Sequence, residues 1–570
     1  MSFTSILTTP FTPSQINSYN GIKFLTTPNL TNIRIEGIGN FNSDRIEDLL
    51  VSRSNLPIQS TEYFVIYGSP FQPPSPLDLD KLVPLDGNFL RGKGELLFSQ
   101  GLKRSPFQVT DDLDGDGVRD FIRYLGDSGR VLLSRGNRVT SADILANDDL
   151  LDGNDGFTFN GFSGPGVLPD LNGDGIKEFV GKNFVTNSSD NTTSTEISII
   201  FGTRSGFPPL VEPSLADGVN GFKIKGVSDS SKLGILDNVR DLNGDGRDDL
   251  IVEDVNGRSY ILFSLSRSPA VIDLNNIPPE LGGSGVVPFS ALYAIGDINK
   301  DGLGDFFVDT NGPIFLGGNR IIYGSKDILK TLSSPNNGGR EAVPGTTVFN
   351  STAPIRITDV KRLGDVNGDG VDDIMVDFFN PQAGRNRTLS YSTFIFGKVG
   401  GLGDQLQDQD LADPNNGFSL DRNRIGARNV GIGDFNGDGI NDLQADNKIL
   451  FGGRLIKSLT DGEVDGKNGF MIKDLENNYL SPVGDINGDG STDLAGRDLA
   501  GNDFVIYGTN QINFNKTYNF KGGLRAYNHN DFPDPAFTNA DPLNYTSIAN
   551  APSWVYGGTG NDLSLGILAI

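Results

Sequence analysis

The sequence contains no cysteine and only one histidine, His529. Without cysteine the chain has neither disulfides nor thiolate-bound metal. A single histidine argues against histidine-based catalysis and against zinc held by several histidines. No Ser-His-Asp set, phosphate loop or nucleophile elbow is present either, so we do not expect the chain to be an enzyme.

Basic residues are also scarce, since 47 Lys and Arg stand against 72 Asp and Glu and the net charge is −25. This balance disfavours nucleic acid and anionic membranes as partners. No apolar run reaches the roughly 18 residues of a transmembrane helix, so no membrane insertion is expected. The start, Met1 to Pro10, lacks a basic segment and a long apolar core, which argues against an N-terminal signal peptide.

Glycine, by contrast, is abundant, with 74 of 570 residues. Many glycines lie in a repeated nine-residue motif, of which Asp365-Val-Asn-Gly-Asp-Gly-Val-Asp-Asp373 is a complete copy. The motif has a carboxylate or amide at positions 1, 3, 5 and 9, and seven of eight copies have glycine at position 6. We call the copies loops 1 to 8; they begin at Asn40, Asp112, Asp170, Asp241, Asp297, Asp365, Asp434 and Asp485.

The motif predicts calcium binding. Calcium takes about six to eight oxygen ligands at about 2.3–2.6 Å. Positions 1, 3, 5 and 9 offer side-chain oxygens, position 7 offers a backbone carbonyl, and glycine at position 6 permits a tight turn. Asp-Gly and Asn-Gly pairs also occur in plain hairpin turns, but a plain turn does not require an acid at position 9. We therefore expect about seven or eight structural calcium ions, with stability that depends on the metal.

The predicted metal ligands follow from these positions. Loop 1 is the weakest site because it begins with asparagine and lacks both glycines. The stronger ligands are Asp112, Asp114, Asp116, Val118 and Asp120; Asp170, Asn172, Asp174, Ile176 and Glu178; Asp241, Asn243, Asp245, Arg247 and Asp249; Asp297, Asn299, Asp301, Leu303 and Asp305; Asp365, Asn367, Asp369, Val371 and Asp373; Asp434, Asn436, Asp438, Ile440 and Asp442; Asp485, Asn487, Asp489, Ser491 and Asp493; the weaker ones are Asn40, Asn42, Asp44 and Asp48.

The residues around each loop predict four short strands per unit of about 64 residues. A short apolar stretch precedes the loop, and a run such as Asp249-Leu-Ile-Val252 follows it. Next comes a strand ending in aromatic-Gly, such as Phe394-Ile-Phe-Gly397, and then a Gly-Phe strand, such as Asn416-Gly-Phe-Ser-Leu420. Repeated four-stranded units without amphipathic helices predict an all-β fold, a β-propeller of four-stranded blades. A β-solenoid competes, but its repeats are shorter.

Three elements recur in the same order along the chain: a Gly-Phe strand, a Gly-Asp-Val-Asn-Gly-Asp-Gly-x-x-Asp loop and an aromatic-Gly strand. This combination resembles the FG-GAP repeats of the integrin α-subunit N-terminal propeller and its bacterial relatives. The resemblance covers roughly residues 20–520. It implies that the calcium is structural and that the loops lie opposite the main ligand surface. The family usually has seven blades, whereas eight loops are present here; Glu178 closes loop 3, and Lys300 occupies position 4 of loop 5.

Three regions are predicted: an irregular lead-in (1–20), the propeller (21–520) and a C-terminal segment (521–570). Gly21–Leu25 has the pattern of an outer strand without a blade of its own. It could meet Ser553–Gly557, so that the C-terminal segment closes the ring of eight blades or adds a degenerate ninth unit. The other alternative is seven blades plus an extra sheet. Gly557-Gly-Thr-Gly-Asn-Asp562 matches one copy of the RTX calcium repeat or a plain turn. If it is RTX-like, residues 557–570 resemble an uncleaved type I secretion signal.

These observations predict a calcium-stabilised, extracellular or cell-surface binding or adhesion module. Its ligand would be a protein or an extracellular polysaccharide. Variable loops on one face would form the surface that recognises this ligand. One alternative is self-association as a structural subunit of a matrix, surface layer or filament. Another is a propeller-type enzyme acting on polysaccharide or phospholipid, which would require a cluster of Lys, Arg, Tyr and carboxylate side chains outside the loops.

Overall fold

A computed structural model of the chain describes its residues in segments separated by gaps. These segments are residues 13–16, 20–24, 30–41, 45–55, 60–69, 77, 94–100, 107–125, 127–133, 151–186, 193–226, 234–253, 259–263, 265, 269–278, 281–284, 291–309, 319–332, 344–350, 356–380, 389–407, 410, 413, 415–421, 429–445, 447–453 and 468–508. The C-terminal segment 521–570, His529 and the RTX-like stretch therefore lie outside the described residues.

The described residues are mainly β-strands, as the sequence predicts. Helix is limited there to one short α-helix, α1 (Ile328–Leu332), and two 3-10 turns, Pro13–Gln15 and Pro213–Leu215. The strands are β1 (Gly21–Lys23), β2 (Leu30–Gly39), β3 (Asp48–Asn55), β4 (Ser60–Ile66), β5 (Gly94–Gln100), β6 (Phe107–Val109), β7 (Phe121–Leu125), β8 (Ser128–Leu132), β9 (Gly156–Asn160), β10 (Ser163–Leu168), β11 (Glu178–Thr186), β12 (Thr193–Ile200), β13 (Leu210–Val211), β14 (Gly221–Lys225), β15 (Gly234–Val239), β16 (Asp249–Glu253), β17 (Ser259–Leu262), β18 (Val271–Asp273), β19 (Gly282–Ser284), β20 (Ala291–Gly296), β21 (Asp305–Asp309), β22 (Asn319–Ile322), β23 (Thr346–Asn350), β24 (Arg356–Gly364), β25 (Asp373–Asn380), β26 (Leu389–Ile395), β27 (Gln405–Gln407), β28 (Gly417–Asp421), β29 (Asn429–Gly433), β30 (Asp442–Ala445), β31 (Lys448–Leu450), β32 (Gly469–Met471), β33 (Leu475–Gly484), β34 (Asp493–Asp498) and β35 (Asp503–Ile506).

The strands form eight small sheets, one for each loop, which we number like the loops. Each sheet begins with two antiparallel strands that flank the loop, followed by a third strand and an outer strand. The third strand ends in the predicted aromatic-Gly pair in six sheets, whereas sheets 2 and 4 have Leu133-Ser134 and Phe263-Ser264 there. The strand orders of the eight sheets are β2-β3-β4-β5, β6-β7-β8-β9, β10-β11-β12-β14, β15-β16-β17-β19, β20-β21-β22-β23, β24-β25-β26-β28, β29-β30-β31-β32 and β33-β34-β35-β1. The four strand types predicted from the sequence are thus confirmed.

The second strand of each sheet is buried on both faces, which explains its continuous apolar run. In β16, Leu250 and Val252 pack against residues of sheet 3, whereas Ile251 packs against residues of sheet 5. Alternate side chains of a strand point to opposite faces, so a strand between two other sheets needs apolar residues at every position.

Among the described residues, the hydrophobic core forms eight clusters, and each cluster lies between two sheets. Seven join consecutive sheets, from 1 and 2 to 7 and 8. The eighth joins sheet 8 to sheet 1, where Val505 and Val483 pack with Ile33 and Val51. Ile22 of β1 belongs to this same cluster.

Sheet 8 obtains its fourth strand from the beginning of the chain. β1 runs antiparallel to β35, with Gly21 opposite Ile506, and Tyr507 N–H donates to the Asn20 carbonyl at 3.0 Å. In sheet 3, Gly221 lies opposite Ile200 in the same way. The prediction that Gly21–Leu25 supplies an outer strand is confirmed for Gly21–Lys23, but the neighbour is β35; the suggested partner Ser553–Gly557 lies outside the described residues.

The sequence did not predict a fifth, parallel strand on some outer edges. β13, β18 and β27 extend sheets 2, 3 and 5 by pairing with β9, β14 and β23. Each comes from the segment after the third strand of the following sheet. Leu77 makes a matching parallel bridge to Phe24 beside β1. These additions cover backbone groups that would otherwise form an open sheet edge.

Within the described residues, no helix has the length and apolar character needed to span a membrane.

Candidate metal-binding loops

Each loop connects the first two strands of its sheet, so all eight lie at equivalent ends of their sheets. Of the predicted ligands, Asn42 and Asp44 of loop 1 lie outside the described residues. In loops 2 to 8, positions 1 to 8 form one tight turn, and the position-9 acid lies at or next to the start of the strand that follows. In loop 6, Gly368 and Gly370 have φ angles of 80° and 81°, which glycine adopts at little cost.

The position-1 carboxylate organises the loop backbone. In loop 6, Asp365 Oδ1 accepts N–H groups from Gly368 at 2.7 Å and Asp369 at 3.1 Å. Its Oδ2 accepts the N–H of Gly370 at 2.7 Å. The bond from the position-6 N–H recurs in loops 2 to 8 at 2.7–2.8 Å. These hydrogen bonds to the position-1 carboxylate fix the conformation of the turn.

Positions 3 and 5 complete this arrangement. Asn367 Oδ1 accepts the N–H of Asp369 at 2.8 Å, and Asp369 Oδ1 accepts the N–H of Val371 at 2.9 Å. The Asn367 amide donates to Asp369 Oδ2 at 3.0 Å. Asparagine at position 3 thus supplies a hydrogen-bond donor to the position-5 acid.

Loop 2 has aspartate at position 3 and lacks that amide donor. The carboxylates of Asp112, Asp114 and Asp116 offer oxygens within 4.8 Å of one another. Three acids that close repel each other strongly unless a cation lies among them. Their oxygen-only donor set fits a hard divalent cation such as calcium.

The position-9 acids are buried and bind the backbone. All eight are 0–1 % exposed: Asp48, Asp120, Glu178, Asp249, Asp305, Asp373, Asp442 and Asp493. Each accepts the N–H of position 2 of its own loop, at 2.7–3.0 Å. This acid therefore has a structural task that does not depend on metal, a point that the sequence argument missed.

The second oxygen of the position-9 acid explains the aromatic-Gly motif. In loop 6, Asp373 Oδ1 accepts the N–H of Gly397 at 2.9 Å, and five further loops repeat the contact. A Cβ on Gly397 would lie 2.2 Å from the carbonyl oxygen of Asp372. Only glycine lets the third strand approach closely enough to donate this bond.

Loop 4 departs from this pattern, and in its sequence Phe263 is followed by Ser264 instead of glycine. Asp249 Oδ1 is buried there and has no hydrogen-bond partner within the described part of the chain. A buried carboxylate oxygen without a donor costs free energy unless a cation is close by.

The pKa values of the position-9 acids rise because burial disfavours the ionised form. Burial raises the pKa of Glu178, Asp249, Asp305 and Asp373 to about 8, and that of Asp442 to about 7. Backbone N–H groups oppose this rise, whereas acids at positions 1 and 5 of the same loop add to it, as Asp365 and Asp369 do for Asp373. The carboxylates at positions 1, 5 and 9 therefore influence one another electrostatically.

Neighbouring loops are joined through their backbones. The N–H of position 8 donates to the position-1 carbonyl of the preceding loop: Asn441 to Asp365 at 2.9 Å, and Thr492 to Asp434 at 2.7 Å. The N–H of Glu47 in loop 1 donates to Asp485 of loop 8 at 3.0 Å. An ordered loop therefore helps to position the next one.

Two loops carry a non-glycine residue in the left-handed region. Arg45 at position 6 of loop 1 has a φ of 77°, and Lys300 at position 4 of loop 5 has a φ of 59°. Such conformations cost a non-glycine residue about 1 kcal/mol or more. Lys300 is exposed, so its side chain is accommodated at the surface, but with backbone strain.

Comparisons with known proteins add little. No protein-family model matches the sequence, and no curated protein matches it. A chain from the yeast heterotrimeric Nup82-Nup159-Nup116 nucleoporin complex is similar in structure, with a TM-score of 0.31 and 11% identity over 71% of this chain and 98% of that chain. A likeness this weak carries no argument about fold or function.

Proposed function

We propose that the chain is an eight-bladed, FG-GAP-type β-propeller whose blades are the eight sheets. Three observations support this architecture: one hydrophobic cluster between each pair of consecutive sheets, a further cluster between sheets 8 and 1, and β1 as the fourth strand of sheet 8. A strand from the N-terminus in the last blade joins the two ends of a ring without a covalent bond. The same pairing makes a ninth blade unnecessary for closure.

We propose further that the loops bind structural calcium ions. The observation that carries this proposal is the turn geometry repeated in loops 2 to 8, in which side-chain oxygens of positions 1, 3 and 5 accept loop N–H groups, together with the three close carboxylates of loop 2. Positions 1, 3 and 5 and the position-7 carbonyl would hold the ion. The buried position-9 acid would contribute its remaining lone pairs while it anchors the third strand. A bound ion would offset the repulsion among these acids and stabilise the fold.

The calcium-stabilised scaffold would serve as an extracellular or cell-surface binding module. Loops of this type suit the high calcium concentrations outside cells. The strand connections at the opposite end of the sheets differ in length, and the β11–β12 hairpin there carries Phe184 at 58 % exposure beside Val185 at 41 %. Exposed apolar residues at this end of the sheet favour recognition of a protein or a polysaccharide.

Thermal unfolding with calcium and with chelator tests the metal proposal. We expect the unfolding midpoint to rise clearly with calcium, and a titration to yield about seven bound ions. An unchanged midpoint together with no bound calcium would refute it. A glycan and matrix-protein array then tests recognition, and the particle size in calcium distinguishes a monomeric binder from a self-assembling subunit.

A further inference from the structure

Asparagine followed directly by glycine occurs at positions 3 and 4 of five loops and, among other places, at the end of β9, where Asn160 precedes Gly161. Asparagine is one of the thermolabile residues of proteins, and a following glycine has no side chain to stop its backbone nitrogen from reaching Cγ of the asparagine. That nitrogen gives its proton to solvent and bonds to Cγ, the Cγ–Nδ2 bond breaks, and the leaving group takes up a proton and departs as ammonia. Water then opens the cyclic imide to aspartate or isoaspartate.

Hydrogen bonds hold the Asn-Gly pair of a loop away from this reaction. In loop 6, the N–H of Gly368 donates to Asp365 Oδ1 at 2.7 Å. The Asn367 side chain accepts the N–H of Asp369 at 2.8 Å and donates to Asp369 Oδ2 at 3.0 Å. Loops 3, 4 and 8 repeat the glycine bond at 2.6–2.7 Å. The attacking nitrogen must lose the proton that the position-1 carboxylate binds, and this carboxylate disfavours a second negative charge beside it.

The pair Asn160-Gly161 lies in a different setting. Asn160 is the last residue of β9 and is exposed, and Gly161 follows it with a φ of 82°. Among the described residues, neither the carboxamide of Asn160 nor the N–H of Gly161 has a hydrogen-bond partner. The next residue, Phe162, is buried, and its N–H donates to the carbonyl of Asp127 at 3.0 Å. The chain is therefore anchored on both sides of a pair whose own reacting groups are exposed to solvent and not held apart.

We propose that Asn160 is a site of spontaneous deamidation in the folded chain, whereas the position-1 acids protect the Asn-Gly pairs of loops 3, 4, 6 and 8. The reaction consumes one water, releases one ammonia and requires no enzyme. Both products carry a new carboxylate at the end of the outer strand of sheet 2, and isoaspartate also lengthens the backbone there. The inference uses contacts of the chain alone, so it does not rest on the proposed binding of calcium.

Peptide mapping by mass spectrometry on the full chain tests the proposal. The folded protein is incubated in calcium at mildly alkaline pH, in water enriched in heavy oxygen, which labels each new carboxylate. We expect label at Asn160 at least about tenfold faster than at position 3 of loops 3, 4, 6 and 8, because one hydrogen bond to a charged group corresponds to about that factor or more. The same chain unfolded in urea is the control, and there these Asn-Gly pairs should react at similar rates.

Two variants separate the causes. Asn160→Gln should abolish the label at this position and leave the loops unchanged, and Asp365→Ala should accelerate labelling of Asn367 but not of position 3 in loops 3 and 8. If Asn160 in the folded wild type is labelled no faster than the loop asparagines, the proposal is refuted. If it is faster by the same factor in urea, the local sequence is the cause and the structural inference is refuted. An unchanged rate at Asn367 in folded Asp365→Ala would refute the protective role of the position-1 acid.

Discussion

Arg497 forms a two-point ion pair with Asp503, with Nε to Oδ1 at 2.8 Å and Nη2 to Oδ2 at 3.2 Å. The same Nη2 donates to the carbonyl of Ile33 at 2.6 Å. Arg497 and Asp503 belong to sheet 8, whereas Ile33 belongs to sheet 1. One guanidinium therefore connects the last sheet of the chain to the first, beside the hydrophobic cluster that these sheets share.

Arg497→Gln should destabilise the fold at this junction. The side chain of Asp503 is only 6 % exposed, so loss of its partner leaves a poorly solvated acid, at a cost of about 1–3 kcal/mol. Arg34→Gln is the control, because the Arg34–Glu36 pair is exposed and should contribute less than about 1 kcal/mol. Urea unfolding measures both. Equal losses of unfolding free energy in the two variants would show that the ion pair at the junction stabilises the fold no more than an exposed pair does.

Ile22→Ala tests the fourth strand of sheet 8. Ile22 is 1 % exposed in the cluster between sheets 8 and 1, and truncating a buried isoleucine costs about 2–5 kcal/mol. Val271→Ala, at a residue that is 46 % exposed on β18, should change stability little. The free energy of unfolding in calcium is the measurement. A tolerated Ile22→Ala would argue against β1 as part of the packed sheet.

Substitutions at positions 5 and 9 of loop 6 should act differently. Asp373→Ala leaves the buried N–H groups of Val366 and Gly397 without their acceptor, which costs about 1–3 kcal/mol for each group, with or without calcium. Asp369→Ala removes an exposed oxygen and should mainly reduce the stabilisation by calcium. Melting curves in calcium and in chelator separate the two effects. If both variants lose stability only in the presence of calcium, the structural role of Asp373 is contradicted.

Gly397→Ala should destabilise the third strand of sheet 6. The added Cβ would meet the carbonyl oxygen of Asp372 at 2.2 Å, so either the strand must move or its bond to Asp373 must break, at a cost of about 1–3 kcal/mol. Gly166→Ala is the matched control, because its Cβ would have only an ordinary contact at 3.8 Å. Denaturant unfolding compares the two variants. If Gly397→Ala leaves the free energy of unfolding unchanged, the third strand does not lie as close to the Asp372 carbonyl as the structure shows.

Much of the local structure could be predicted from the sequence. The loop pattern around Asp365 to Asp373, the strand after it and the aromatic-Gly strand ending at Gly397 lie where the sequence places them. The reasons are local, because alternating oxygens, glycine turns and apolar runs act over a few residues. The parallel strands β13, β18 and β27 were not predicted, since two or three residues at a sheet edge carry no clear pattern.

The sequence by itself determined the number of loops, the residues in them and the type of strand on either side, because these depend on side chains close together in the chain. The tertiary structure alone decided that Asp373 holds Gly397, that Arg497 reaches Ile33 and that β1 lies beside β35. The contacts of Ile33 and β1 use backbone N–H and carbonyl groups, which every non-proline residue carries and which therefore leave no signature in the sequence. The contact between Asp373 and Gly397 does leave a recurring acid and a recurring glycine, but the sequence does not show that the two meet. Only folding shows which of these groups meet across tens to hundreds of residues.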